Sequence, residues 1–426
     1  MRAVAGSLCW LWLTACAAER AVTSIDVELS LAERALREGR IEVASERIAE
    51  ARRRAPRHVE AAQWAAVLAE ITWRDEDAVR SHQVAIRNAR SLRYGEERVA
   101  VLEGRLGDLL FASGRWGESV APLLAGAAVE DGDRRRAFSA CALVLPFARK
   151  PGGPLLSEQR LLPGDMPEFL CGAGERLLPF AIDTGTSMTT LARSLADELA
   201  VRERRPAGEA LDGAGRALPI DIAVVEQFAV GDIDIGAVPV AIVDDAAMQM
   251  RDLFGGPERV SRGVLGLDLL GACRLTLDPE RSSVVIELPR GLPEEQSVQC
   301  VRVQGRCLVP VLIEDVRMWF VLDTGASHSS LSVAGLDRLP GGAGRAVPSF
   351  RRVRTVGGSL VSVREVRELV VSCSEARFRG VTLPVVARGG DTLFPVHGVL
   401  GVDILSRCRV ILDRGRARLV ALPQSR

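Results

Sequence analysis

A short pattern that occurs twice constrains this chain more than any other feature. The first copy is Phe180-Ala181-Ile182-Asp183-Thr184-Gly185-Thr186-Ser187, and the second is Phe320-Val321-Leu322-Asp323-Thr324-Gly325-Ala326-Ser327. Each is an apolar run, the mark of a buried strand, ending in a carboxylate at a tight turn. A buried carboxylate is costly unless it gains a partner. The duplication supplies one, as a second carboxylate. Two facing carboxylates do not both ionise readily. They share a proton instead, and so form an acid/base pair able to direct water at an amide.

Each copy is followed by a second repeated segment, Gly263-Val264-Leu265-Gly266-Leu267-Asp268-Leu269-Leu270 and Gly398-Val399-Leu400-Gly401-Val402-Asp403-Ile404-Leu405. The lags are alike: 266 − 183 = 83 and 401 − 323 = 78. A single Asp-Thr-Gly is a weak signal. Two copies, each with the same follower at a similar lag, are a strong one. In these residues the chain resembles the retropepsin-like aspartic peptidases. The resemblance implies two all-β lobes, each giving one Asp-Thr-Gly loop with the apolar-apolar-Gly segment packed behind it. Both lobes lie in one chain, so they are expected to pair internally as a pseudo-dimer.

The resemblance also assigns roles. Asp183 and Asp323 are the catalytic pair and hold one water between them. Thr184 and Thr324 bond across to the opposing loop. Gly185 and Gly325 leave room for backbone N–H groups at the carboxylates. Ser187 and Ser327 either bond the outer carboxylate oxygens or are simple turn residues. The glycines Gly213 and Gly215 in lobe one, and Gly357 and Gly358 in lobe two, mark hairpin tips that act as flaps over substrate. From the residues themselves, a hydroxyl at Thr186, where the second loop has Ala326, favours an ionised Asp183. Asp183 is then expected to be the base and Asp323 the acid. Asp268 and Asp403 are expected to cap the short helices they begin.

The lobes are expected at 161–290 and 297–426. Ahead of them, 1–15 reads as an export signal, because Arg2 precedes an apolar core too short to span a bilayer. Its end, Leu13-Thr14-Ala15-Cys16, resembles the bacterial lipobox, which implies lipidation of Cys16 and a membrane anchor. Ala17 after that cysteine implies the outer membrane of a bacterial envelope, with the chain facing the periplasm. Ordinary secretion, with cleavage in the small-residue run 15–18, is the alternative. Residues 24–145 form a helical domain, with apolar residues at helical spacing in Ile41, Ala44, Ile48 and Ala51. Gly39, Ala44, Ile48, Ala51 and Pro56 resemble a tetratricopeptide repeat, and a plain helical bundle is the alternative. A repeat array offers a concave face to a protein partner. Pro151-Gly152-Gly153-Pro154 marks a linker over 146–160.

Charge excludes one class of partner. The 55 basic and 55 acidic residues cancel and are spread along the chain, which argues against nucleic acid. Beyond Cys9 and Cys16 the cysteines number seven, at 141, 171, 273, 300, 307, 373 and 408. An odd count without metal-type spacing points to neither a disulfide framework nor zinc, and no cofactor is expected. His328 and His397 lack counterparts in lobe one and are expected at the surface or in packing. The function that follows is an exported aspartic endopeptidase acting on a peptide or protein substrate as a monomer. The alternatives are a non-catalytic peptide-binding module with the same cleft, and lobes that pair between chains.

Overall fold

A computed structural model describes residues 24–145, 156–164, 166–211, 217–250, 259–349, 352–355, 358–361, 364–386, 393–413 and 415–422. Cys16 and its leader, the Pro-Gly segment of the linker, and the tips Gly213, Gly215 and Gly357 lie outside these residues.

The N-terminal region has seven helices among the described residues. They are α1 (Ser24–Arg37), α2 (Ile41–Arg54), α3 (Val59–Ile71), α4 (Asp75–Ser91), α5 (Glu96–Ala112), α6 (Trp116–Ala127) and α7 (Gly132–Val144). The helical spacing read in the sequence is the buried stripe of α2, formed by Ile41, Ala44, Ile48 and Ala51. Sequence neighbours pack as hairpins, α1 on α2, α3 on α4 and α5 on α6.

Lobe one opens with β1 (Leu156–Arg160) and the hairpin β2 (Glu168–Ala173) and β3 (Arg176–Ile182), then β4 (Thr190–Ala192) and α8 (Arg193–Glu198). A long hairpin of β5 (Arg205–Leu211) and β6 (Ala217–Val230) leads to β7 (Ile233–Val243) and α9 (Asp245–Met248). The ribbon β8 (Gln249–Met250) and β9 (Arg259–Val260), β10 (Gly263–Leu265), α10 (Leu267–Leu270) and the pair β11 (Arg274–Asp278) and β12 (Ser283–Glu287) complete it. Lobe two repeats the plan. Strands β13 (Val298–Gln299) and β14 (Val301–Val303) enter the hairpin β15 (Arg306–Ile313) and β16 (Val316–Leu322), followed by β17 (Ser330–Ser332) and α11 (Val333–Arg338). Then come β18 (Val347–Pro348), the ribbon β19 (Arg352–Thr355) and β20 (Gly358–Val361), and β21 (Arg364–Cys373) and β22 (Ala376–Val386). Last are β23 (Gly398–Leu400), α12 (Val402–Leu405), β24 (Cys408–Asp413) and β25 (Arg416–Ala421).

In lobe one the sheet order is β2-β3-β10-β4-β7-β6-β5, and β2 also pairs with β6. In lobe two it is β14-β15-β16-β23-β17-β22-β21-β18, and β15 also pairs with β21. Each sheet thus folds back on itself. A third sheet, β1-β12-β11-β24-β25-β13, draws its two halves from the two lobes. At its centre β11 runs antiparallel to β24, with Leu275 opposite Leu412 and Leu277 opposite Val410. These side chains belong to one core that continues through both lobes, so the internal pseudo-dimer is a packed unit. The stretch 156–160, expected within the linker, is β1 of this sheet, paired along its length with β12.

The helical region is braced against both lobes. Leu36, Ile41, Ala44, Leu68 and Ile71 bury with Val301, Leu308, Trp319, Val321 and Phe394 of lobe two. Trp319 Nε1–H donates to the carbonyl of Gly39 at 3.3 Å, and Arg302 pairs with Asp75. Toward lobe one, Phe111, Trp116, Leu123, Ala137 and Cys141 bury with Ala207 and Ile222 of the β5–β6 hairpin. Sequence periodicity identifies these apolar faces but says nothing about what covers them.

Candidate active site

Each Asp-Thr-Gly loop is held by backbone bonds its neighbours dictate. Strand β3 runs parallel to β10, and Asp183 N–H donates to Leu265 O at 3.1 Å. In lobe two β16 runs parallel to β23, and Asp323 N–H donates to Leu400 O at 3.1 Å. This is why the Gly-apolar-apolar-Gly segment must follow each loop. A Cβ on Gly266 would sit 2.5 Å from the Met188 backbone, and one on Gly401 would sit 2.7 Å from Ala326 O and from the His328 backbone. Only a bare α-carbon allows that approach.

The two loops meet at their centres. Thr184 Oγ1–H donates to Leu322 O at 2.6 Å, and Thr324 Oγ1–H donates to Ile182 O at 2.6 Å. Each hydroxyl also accepts the other threonine's backbone N–H, at 3.1 Å and 3.2 Å. Four reciprocal bonds, all buried, lock the loops in register. The glycines are dictated by the opposing carboxylate. A Cβ on Gly185 would lie 2.4 Å from Asp323 Cγ, and one on Gly325 would lie 2.4 Å from Asp183 Cγ. Gly185 N–H donates to Asp183 Oδ1 at 2.7 Å, and Gly325 N–H donates to Asp323 Oδ1 at 2.9 Å.

The carboxyls of Asp183 and Asp323 lie close enough to act on one another directly. Burial raises the Asp183 pKa well above the usual carboxylate range, and the neighbouring Asp323 charge adds to it. The opposing pulls come from the backbone N–H groups of Gly185 and Thr186. Asp183 is 8% exposed, whereas Asp323 is half-buried. Asp183 is thus held toward its neutral form. This direction is opposite to the readily ionised Asp183 expected from Thr186. The group that acts at position 186 is the backbone N–H, which also donates to Asp183 O at 3.3 Å, and Ala326 N–H donates to Asp323 O at 3.3 Å in the same way.

The remaining expected residues fall as follows. Ser327 Oγ pairs with His328 Nδ1 at 2.9 Å, and Ser187 Cβ lies against Gly305, so both serines serve loop packing. Gly266 and Gly401 hold the N-cap positions, and Asp268 and Asp403 lie within the first turns, where Asp403 Oδ1 accepts from Ile404 N–H at 3.0 Å. Asp268 Oδ1 accepts from Thr189 N–H and Thr189 Oγ1–H, each at 2.9 Å. Asp403 Oδ1 accepts from Ser329 N–H at 2.7 Å and from Ser329 Oγ–H at 2.6 Å. Each aspartate latches the chain beyond a catalytic loop to the segment behind it. Thr189 and Ser329 share the offset of the two loops, a signal present in the sequence. Gly358 begins β20, in a two-stranded ribbon with β19. In lobe one the hairpin that carries the Gly213 and Gly215 tip is β5–β6. His397 is buried, and the described cysteines are free thiols. Among the described residues no cluster of His, Cys, Asp and Glu is arranged to hold a metal.

Residues 172–269 and 309–404 match the family model described as aspartyl protease. Each match contains one Asp-Thr-Gly loop and nearly all of the segment behind it, so both lobes carry the aspartyl protease fold. Similar solved structures include an aspartic proteinase from Irpex lacteus, at 11% identity over 62% of this chain and 97% of that one, with a TM-score of 0.39. A retropepsin-like aspartic protease from Rickettsia conorii is 14% identical over 33% of this chain and 94% of its own, with a TM-score of 0.23. Basic 7S globulin from soybean is 11% identical over 62% and 94%, with a TM-score of 0.34. No curated protein sequence matches the chain.

Proposed function

We propose that the chain is an aspartic endopeptidase whose water is activated between Asp183 and Asp323. The observation that carries this is the contact of the two carboxyls across the loop junction, with a Cβ on either loop glycine excluded by the opposing carboxyl. In the proposed reaction Asp323, as carboxylate, takes a proton from water as its oxygen attacks the scissile carbonyl carbon. Asp183 gives its proton to the carbonyl oxygen, which forms a neutral gem-diol. The diol then collapses, the C–N bond breaks, and a proton passes to the leaving nitrogen. The products are a carboxylic acid and an amine. No covalent enzyme intermediate is required.

The chain is further proposed to be exported and lipid-anchored at Cys16, facing the periplasm from the outer membrane of a bacterial envelope. The helical region, read as tetratricopeptide-like, is proposed to offer a protein partner the surface it turns away from the lobes, since its lobe-facing apolar residues are already buried. Digestion of a peptide library by the soluble chain tests the activity. Cleavage that a statine-type analogue of the tetrahedral intermediate suppresses is the expected result. A library left intact across pH 3–8 (a range chosen to bracket about one unit beyond the ordinary carboxylate and histidine values) overturns it, and favours the non-catalytic binding module.

A further inference from the structure

The two lobes share one register through their catalytic hairpins. Asp323 and Asp183 are offset by 323 − 183 = 140. In lobe one Glu168 lies opposite Ala181 and Leu170 opposite Pro179. In lobe two Leu308 lies opposite Val321 and Pro310 opposite Trp319, the same pairs moved by 140. The offset places Arg306 where lobe one has Met166, since 306 − 140 = 166. A cation and an apolar side chain thus occupy equivalent positions on either side of the pseudo-twofold axis.

The surroundings of the two residues differ as their chemistry does. Met166 is buried and lines an apolar cavity of about 730 Å³ with Leu161, Leu170, Leu277, Val402 and Leu405. Arg306 is half-buried beside the turn Gln304-Gly305, where both residues have positive φ, +50° and +71°. Gly305 abuts Ser187 Cβ of the opposite lobe, so the tip that carries Arg306 is wedged against the first catalytic loop. The carboxylate whose field Arg306 feels is Asp323.

Among the described residues Arg306 has no ion-paired carboxylate of its own. Its hydrogen bond among the described residues goes to the neutral Oε1 of Gln304, at 3.1 Å. Several other buried or partly buried arginines are ion-paired: Arg135 with Asp108, Arg302 with Asp75, Arg409 with Asp278, and Arg418 with Glu375. Burial lowers the Arg306 pKa, and the Asp323 carboxylate offsets only part of that cost. A guanidinium in this state favours an incoming carboxylate, which it engages with a planar fork of donors.

We propose that Arg306 is the specificity-determining residue of one half of the substrate cleft, and that it selects peptides carrying an acidic side chain beside the scissile bond on the Asp323 side. This rests on the peptidase function proposed above. It makes the cleft asymmetric in chemistry although the two catalytic loops are nearly identical.

The test uses the soluble chain and matched peptides that differ by Glu against Gln at each position flanking a cleaved bond. Wild type is expected to cleave one Glu peptide at least about tenfold better in kcat/KM than its Gln partner, the scale of one charge-assisted hydrogen bond. Arg306→Met, which installs the residue found in the other lobe, is expected to bring that ratio near one while Gln peptides are still cleaved. Arg306→Lys is expected to keep part of the preference, because the charge remains without the fork. A wild-type ratio near one at every position overturns the inference and leaves the peptidase function standing, as does an unchanged ratio in Arg306→Met. Cleavage of no peptide by wild type overturns the peptidase function, and the inference with it.

Discussion

His397 makes stability depend on pH in a way that can be worked from its surroundings. It is 3% exposed, and its Nδ1 accepts the backbone N–H of Trp319 at 2.9 Å. Its own backbone N–H donates to Trp319 O at 2.8 Å, so the residue stitches its segment to β16, which delivers Asp323. A ring accepting at Nδ1 carries its hydrogen on Nε2 and is neutral. Burial, with a smaller contribution from the Arg338 charge, lowers its pKa from 6.5 to about 4. Below pH 6.5 the unfolded chain takes up a proton that the folded chain refuses. The stability supplied by neutral His397 is therefore complete above pH 6.5 and is lost as pH falls toward 4. The interval of 6.5 − 4 = 2.5 units, at about 1.4 kcal/mol per unit, corresponds to about 3 kcal/mol. His397→Asn keeps an acceptor for Trp319 N–H and removes the titration. Urea denaturation of both proteins from pH 8 to pH 4 measures the difference. Wild type is expected to lose about 3 kcal/mol more than the variant over that range. Parallel curves refute the reasoning.

Three further outcomes are expected. Thr324→Val removes the donor to Ile182 O and the acceptor for Thr184 N–H, and leaving both buried groups unpaired should cost about 2–4 kcal/mol by urea denaturation, whereas Thr324→Ser should restore most of it. Gly325→Ala places a Cβ 2.4 Å from Asp183 Cγ, so kcat/KM should fall about 100-fold while the far-ultraviolet circular dichroism spectrum is unchanged. Cys16→Ser should move the full-length protein from the membrane fraction to the soluble fraction, and an unchanged partition contradicts the lipid anchor.

The parts of this molecule legible in its sequence are those fixed by short-range chemistry. Asp-Thr-Gly and the following Gly-apolar-apolar-Gly are readable because close backbone approach admits one residue type at Gly185, Gly325, Gly266 and Gly401. The lobe strands follow from alternation and the helices from their apolar stripes. What stayed hidden depends on contacts distant in sequence. Trp319 reads as one more strand residue, yet it is the anchor that Gly39 and Phe394 close upon. Asp268 and Asp403 look like helix caps because a short helix follows them, and only the folded loops show that Thr189 and Ser329 claim their oxygens. The side-chain difference between Thr186 and Ala326 is visible in the sequence, while the unequal burial of the two carboxyls is not. Arg306 could have been found by laying the two hairpins on one another at the offset of 140.

The central claim is that Asp183 and Asp323 act as a single unit, and the direct measurement is turnover of one well-cleaved peptide by Asp183→Asn and by Asp323→Asn, with melting temperatures taken alongside. Each variant is expected to show no turnover above background and to melt at or above wild type, because neutralising either residue relieves the repulsion and burial cost of two adjacent carboxyls. Near-normal turnover in either variant contradicts the shared dyad.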